Sequence, residues 1–161
     1  MAGVPIYRTD VAHDWIDYNG HLRDAYYVLI VSQATDALMD RLQLDAAYRA
    51  RTRGTLYTLE MHLHFLREIK ESDGVAVSVR VLGADSKRLH VALELTKEGE
   101  SEPAATAELM LLHVVQGPTV SVAAFPPEVS AAIAALAAAT AAMPAAGPLS
   151  RRMELTSRPR P

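Results

Sequence analysis

Tyr57-Thr58-Leu59-Glu60-Met61-His62-Leu63-His64-Phe65 alternates large apolar and polar side chains without a break. Successive side chains of a strand point to opposite faces, so this stretch, entered from Arg53, reads as a long strand. Tyr57, Leu59, Met61, Leu63 and Phe65 form its buried face; Thr58, Glu60, His62 and His64 form the other.

The same period recurs downstream. After Gly74, Val75, Val77, Val79 and Val81 alternate with Ala76, Ser78 and Arg80 until Gly83-Ala84-Asp85-Ser86 interrupts them. Leu89, Val91, Leu93 and Leu95 then alternate with His90, Ala92, Glu94 and Thr96, ending at Lys97-Glu98-Gly99-Glu100. A last run, about Ala104 to Val115, is almost continuously apolar at Leu109-Met110-Leu111-Leu112, which predicts a strand covered on both faces. Short turn-linked steps between these four strands predict an antiparallel meander.

Upstream, Tyr27, Ile30, Val31, Ala34, Leu38 and Leu42 recur at helical spacing behind Asp24, the expected N-cap. Val28, Leu29, Ala37 and Met39 widen the apolar surface, so this helix should pack deep against the sheet. A helical turn from Asp45 to Arg51 leads into the long strand, and Val4 to Ala12 reads as a further strand. From Ala123 to Ala146 there are thirteen alanines, with Ile133 and Leu136 the only large apolar side chains between Ser130 and Ala142. That composition predicts a peripheral helix. The fold class is therefore α+β: one curled antiparallel sheet around one long helix over residues 1–122, an Ala-rich helix over 123–146, and a basic tail over 147–161 expected to be disordered.

With 161 residues the chain is one domain's worth, and a 50% hydrophobic composition is that of a globular body. The absence of cysteine excludes disulfides, thiolate metal sites and cysteine nucleophiles. Residues 151–161 hold four Arg against one Glu, so the net charge of −3 leaves −6 on residues 1–150. An acidic body argues against a nucleic-acid surface. The best candidate for a membrane span, Ala25 to Leu42, contains Asp36, Asp40 and Arg41, and Met1-Ala2-Gly3-Val4-Pro5 does not read as a signal peptide, so the expected location is the cytoplasm.

Five of the nine aromatics, Tyr7, Trp15, Tyr18, Tyr26 and Tyr27, lie in the first 27 residues. They surround His13-Asp14-Trp15-Ile16-Asp17-Tyr18-Asn19-Gly20-His21, a loop rich in Asp, Asn, Gly and His that feeds the long helix. A carboxylate at Asp17 beside the free N–H groups of a helix start is equipment for attack on a carbonyl with an oxyanion to stabilise. The alternative reading makes Asp17 and Asn19 turn formers, with Gly20 at positive φ. His62 and His64, with Glu60, share a strand face, but two histidines fall short of a catalytic zinc set, so no metal is expected. No Ser lies in a G-x-S-x-G context and no Gly-rich phosphate loop is present.

Asp17-Tyr18-Asn19-Gly20-His21-Leu22, followed by Ala25-Tyr26-Tyr27 and later by Phe65-Leu66-Arg67-Glu68, resembles the hotdog-fold acyl-CoA thioesterases of the 4-hydroxybenzoyl-CoA thioesterase type over roughly residues 4 to 120. Trp15-Ile16-Asp17-Tyr18-Asn19-Gly20-His21, Ala34-Thr35-Asp36-Ala37, Tyr57-Thr58 and Leu82-Gly83-Ala84-Asp85-Ser86-Lys87-Arg88-Leu89-His90 look most like the betainyl-CoA thioesterases associated with carnitine dehydrogenase. One departure is Arg23, where many hotdog thioesterases carry Asn.

The resemblance implies a sheet wrapped around one helix, a homodimer or homotetramer, a functional link to a carnitine dehydrogenase, and no cofactor. It implies Asp17 as nucleophile or base, Gly20 for close backbone approach, and His21 for shaping the loop or bonding the substrate. Betaine carries a quaternary ammonium, which aromatic faces and carboxylates recognise. Trp15, Tyr18, Tyr26 and Tyr57 are the candidate faces, Asp36 the counter-charge, and Asn19 a further substrate contact on the loop. Coenzyme A brings three phosphates, for which Arg67, Lys70, Lys87 and Arg88 are the candidate partners.

Overall fold

The protein is described here by a computed structural model covering residues 3–144 and 147–150. Strand β1 (Val4–Asp10) is followed by helix α1 (Asp24–Arg41), helix α2 (Ala46–Thr52) and strands β2 (Gly54–Phe65), β3 (Gly74–Ala84), β4 (Arg88–Lys97), β5 (Ala105–Val115) and β6 (Ser121–Val122). Helix α3 (Pro127–Thr140) ends the set. The alternating valines and leucines do what their period requires. Val75, Val77 and Val79 of β3 and Leu89, Val91, Leu93 and Leu95 of β4 all turn inward and are fully buried, against Ile30, Val31, Ala34 and Leu38 of α1. The curled sheet wraps the long helix as expected.

The strand order differs from a four-strand meander. Only β3, β4 and β5 are successive neighbours; the sheet runs β1-β3-β4-β5-β2, antiparallel throughout. β1 takes the flank of β3, from Val4 opposite Val79 to Asp10 opposite Gly74, so β2 pairs instead with β5 and forms the far edge. β5 carries Leu109 and Leu111 inward, while Met110 and Leu112 on its outer face are only half-buried.

The long strand is also not one apolar face. Its register with β5 slips between Thr58 and Glu60, and an extra residue in a strand reverses the alternation beyond it. Met61 pairs with the inward Leu109, but Tyr57 pairs with the outward Leu112. Met61, Leu63 and Phe65 therefore face the helix, Tyr57 faces the opposite side, and Leu59 at the slip is exposed.

Helix α1 is capped at Arg23, not Asp24; the Asp24 carboxylate accepts from Ala25 N–H (2.8 Å) inside the first turn. Its apolar surface is not wholly covered either, since Val28 and Leu29 stay exposed. Asp45 does cap α2, accepting from Tyr48 N–H (2.8 Å). In α3, Val129, Ile133, Leu136 and Thr140 are buried, and the Thr140 hydroxyl accepts from Val81 N–H (3.2 Å), which ties this helix to β3. Residues 147–150, expected as the start of the tail, lie against the sheet: the Thr106 hydroxyl donates to the Pro148 carbonyl (2.8 Å) and Ser150 N–H to Glu108. Residues 145, 146 and 151–161 lie outside the described residues.

The start of β2 is fixed by a buried polar cluster. His113 Nδ1 donates to the Ala123 carbonyl (3.1 Å), leaving Nε2 to accept from the Tyr48 hydroxyl (3.0 Å). Both rings close over Gly54, where a Cβ would lie 2.7 Å from the Tyr48 oxygen and 3.0 Å from His113 Nε2. Gly54→Ala should therefore cost about 1–3 kcal/mol of stability through overpacking, measured as a lowered denaturation midpoint with an unchanged denaturant slope.

Candidate active site

The loop joining β1 to α1 closes on itself before the helix starts. Ile16 bridges to Leu22, Asp17 N–H donates to the His21 carbonyl (2.8 Å), and Gly20 N–H donates to the Asp17 carbonyl (3.1 Å). Gly20 sits at φ 81°, which glycine adopts without strain. No atom lies within 4 Å of where its Cβ would be, so backbone conformation, and no close approach within the chain, calls for glycine here.

This closure aims the Asp17 carboxylate. Oδ1 accepts from Asn19 N–H (2.8 Å) and His21 N–H (3.1 Å), whereas Oδ2 has only a long contact with Asn19 Nδ2 (3.4 Å). The His21 N–H bond, helped by Asn19 and opposed by partial desolvation, holds the carboxyl below its ordinary 3.8. Asp17 is thus an anion at neutral pH with one oxygen fixed and one freer. Asp17 and Asn19 form the turn, with Gly20 at positive φ, and the turn positions the carboxylate.

The helix start offers fewer open donors than its position suggests, because Ala25 N–H is held by Asp24 and Tyr26 N–H by the Arg23 carbonyl (3.0 Å). Arg23 itself donates from Nε to the Ile16 carbonyl (3.2 Å). Trp15 and Tyr26 stack at 5.3 Å between centroids, and Tyr18 is 96% exposed beside them.

Three further residues complete this end of the sheet. Glu68, quoted only as part of a motif, places Oε2 3.0 Å from His21 Nε2. Tyr27 and Phe65 meet edge to face at 5.0 Å and, with His21, Leu22 and Leu66, wall a cavity of about 370 Å³. Burial pushes the Tyr27 phenol above its ordinary 10.0, so it stays a neutral donor. The helical period had marked Tyr27 as core, which it also is.

A larger depression of about 830 Å³ holds Arg67, Lys70 and Lys97, but its cations already have partners. Arg67 pairs with Glu102 and, at 3.8 Å, with Glu100; Lys97 pairs with Glu100 at 2.8 Å; Lys70 lies 4.0 Å from Glu68. The smaller, more apolar cavity at His21 and Tyr27 is the better candidate for an acyl group.

The remaining expected site residues lie elsewhere in the protomer. Asp36 is exposed twelve residues beyond Asp24 on α1, or ~18 Å at 1.5 Å per residue. Tyr57 lies ~26 Å along β2 from Phe65, on the outer face, with its hydroxyl accepting from Gln116 Nε2 (3.2 Å). Tyr57 is therefore removed from the candidate cage. Lys87 and Arg88 form the turn at the opposite end of β3 from Gly74, ~33 Å away. There Asp85 accepts from both main-chain N–H groups and from Arg88 Nε (2.7 Å); led by the Lys87 N–H bond, these hold its carboxyl at about 2. At the sheet edge, His62 Nε2 lies 2.7 Å from Glu60 Oε1, a local pair. Among the described residues no helix is long and apolar enough to cross a membrane.

Residues 11–133 match the model of the Thioesterase-like superfamily. The chain belongs to that superfamily. A betainyl-CoA thioesterase of Pseudomonas aeruginosa is 48% identical over 139 residues, 86% of each chain. An L-carnitine dehydrogenase/betainyl-CoA thioesterase of Agrobacterium fabrum is 40% identical over 109 residues, which span 68% of this chain and 22% of that longer protein. A solved structure from Pseudomonas putida KT2440 superposes with a TM-score of 0.85 at 41% identity, covering 98% of this chain and 99% of that one. The thioesterase-like assignment agrees with the hotdog architecture.

Proposed function

We propose that this protein hydrolyses betainyl-CoA to betaine and free coenzyme A, with Asp17 as the nucleophile. The observation that carries the reading is the Asp17 carboxylate, fixed at Oδ1 by two main-chain N–H groups and freer at Oδ2, in a loop whose His21 and Leu22 line a cavity. A carboxyl held below 3.8 is ionised at neutral pH and can attack the thioester directly. Oδ2 adds to the thioester carbonyl, the carbon–sulfur bond breaks, and thiolate leaves without acid assistance. Water then cleaves the mixed anhydride to betaine and restores the carboxylate. The substrate rests on the relatives' names and on the Trp15, Tyr18 and Tyr26 rings at the same end.

The same reading makes the enzyme a homodimer joined at β2. β1 is blunted as an edge by Pro5 and Arg8, whereas β2 ends the sheet with Leu59 and Phe65 exposed. A two-fold axis pairing β2 antiparallel with its copy reverses the second protomer end for end. Asp36 and the Lys87–Arg88 turn belong to a site at Asp17 only across that axis. A CoA substrate places the enzyme in the cytoplasm and its source in a reaction forming a betaine thioester.

The test is steady-state hydrolysis over a panel of acyl-CoAs. Betainyl-CoA should exceed tert-butylacetyl-CoA, its uncharged isostere, by at least ~10–30-fold in kcat/KM, because a desolvated quaternary ammonium on aromatic faces gains roughly 2 kcal/mol. Trp15→Leu keeps apolar bulk and should erase that preference while sparing the neutral substrate. Equal values for the two substrates in the wild type would remove the cation from the reading and leave an acyl-CoA thioesterase.

A further inference from the structure

We infer that Glu68 is a positioning residue for Asp17, acting through His21; the inference rests on the thioesterase reading for what Asp17 does. The chain leaving β2 forms a fixed shelf beneath the loop. Leu66 and Arg67 N–H both donate to the Ala104 carbonyl (2.9 and 3.0 Å), and Ile69 is fully buried. The loop meets this shelf through Leu22 N–H, which donates to the Ile69 carbonyl (2.8 Å), and through a bridge between His21 and Lys70. His21 is therefore the joint. Its main chain exchanges two bonds with Asp17, and its ring reaches Glu68 at 3.0 Å.

A carboxylate can only accept, so an anionic Glu68 oxygen 3.0 Å from Nε2 favours the ring form that carries hydrogen on that nitrogen. Arg67 does not draw Glu68 away, since its guanidinium is engaged by Glu100 and Glu102. The other charged groups around the joint are Asp17, Asp24 and Lys70, the last 4.0 Å from the same Glu68 oxygen. Fixing the ring steadies the His21 N–H on Oδ1 of Asp17, and that sets the orientation of the carboxylate. Release of the ring leaves the loop free to misplace the carboxylate, and ~1 Å of misplacement is enough to cost ~100-fold.

Two variants at this exposed position test it. Glu68→Ala removes the acceptor and should lower kcat at least ~10-fold with KM within about twofold, the pattern of an interaction needed only for the chemical step. Glu68→Gln keeps an acceptor oxygen and should stay within about threefold of wild type. Nitrogen-15 NMR of His21 gives a readout independent of turnover: the Nε2–H tautomer in the wild type and in Glu68→Gln, a mixture in Glu68→Ala. An unchanged tautomer in Glu68→Ala, an unchanged kcat in Glu68→Ala, or an equal loss of kcat in both variants overturns the inference. Absence of acyl-CoA hydrolysis by the wild type would instead strike the proposed function, with the tautomer measurement still able to decide the role of Glu68.

Discussion

Asp17→Asn should fold as the wild type and lose at least ~100-fold in kcat. The amide has the shape of the carboxylate, and its oxygen can still accept from Asn19 and His21 N–H, so the turn that closes the loop survives. What disappears is the negative charge at the second oxygen, without which neither direct attack on the thioester nor activation of water proceeds. The pH profile carries the complementary expectation. Because the His21 N–H bond lowers the Asp17 carboxyl from 3.8, the anion is present at all pH values above that range, and activity tied to it falls only as pH drops through the lowered value. The stability that the same bonds provide is present above 3.8 and is lost in the same acid window. A well-folded Asp17→Asn protein with near wild-type kcat would remove Asp17 from the chemistry, whereas an acid limb near neutrality that this substitution abolishes would overturn the lowered carboxyl.

The parts of the fold visible in the sequence were those governed by local period. The valines of β3 and the leucines of β4 alternate because one face of each strand packs on the apolar core, and the structure places those residues there. The order of the strands was not visible in the same way. Nothing in the alternation of residues 57–65 says which neighbour they pair with, and the slip at Leu59 leaves the polar and apolar letters alternating while it turns Tyr57 to the other face. The site divides along the same line. Asp17, Gly20 and His21 are close in sequence, and a short closed loop brings them together. Glu68 comes to His21 only because β2 ends beside the start of α1, a tertiary fact with no local signature. Asp36, Lys87 and Arg88 carry suitable chemistry on well-formed elements, yet the length of α1 and of β3 separates them from Asp17 within one protomer.

That separation makes the enzyme's dependence on assembly the second large effect. Leu59→Arg should convert a dimer into a monomer and remove most hydrolysis with it. Leu59 lies at the bulge of the edge strand, is 55% exposed, and makes no part of the loop or cavity at Asp17. Where the two-fold axis crosses the middle of β2, the two Leu59 positions approach one another and the substitution opposes two guanidinium groups. Like charges brought together at an interface cost several kcal/mol, and each 1.4 kcal/mol is tenfold, so the dimer should weaken at least ~100-fold. Sedimentation of the wild type should give twice the 17.5 kDa of one chain at micromolar concentration, and the variant the mass of one chain. Activity should follow mass. If Asp36 and the Lys87–Arg88 turn complete the site from a second copy, the monomeric variant is inactive at low concentration and recovers as concentration drives pairing. A wild-type protein that sediments as one chain, or a monomeric Leu59→Arg protein with full kcat/KM, would place the whole site within one protomer and leave those three residues without a part in it.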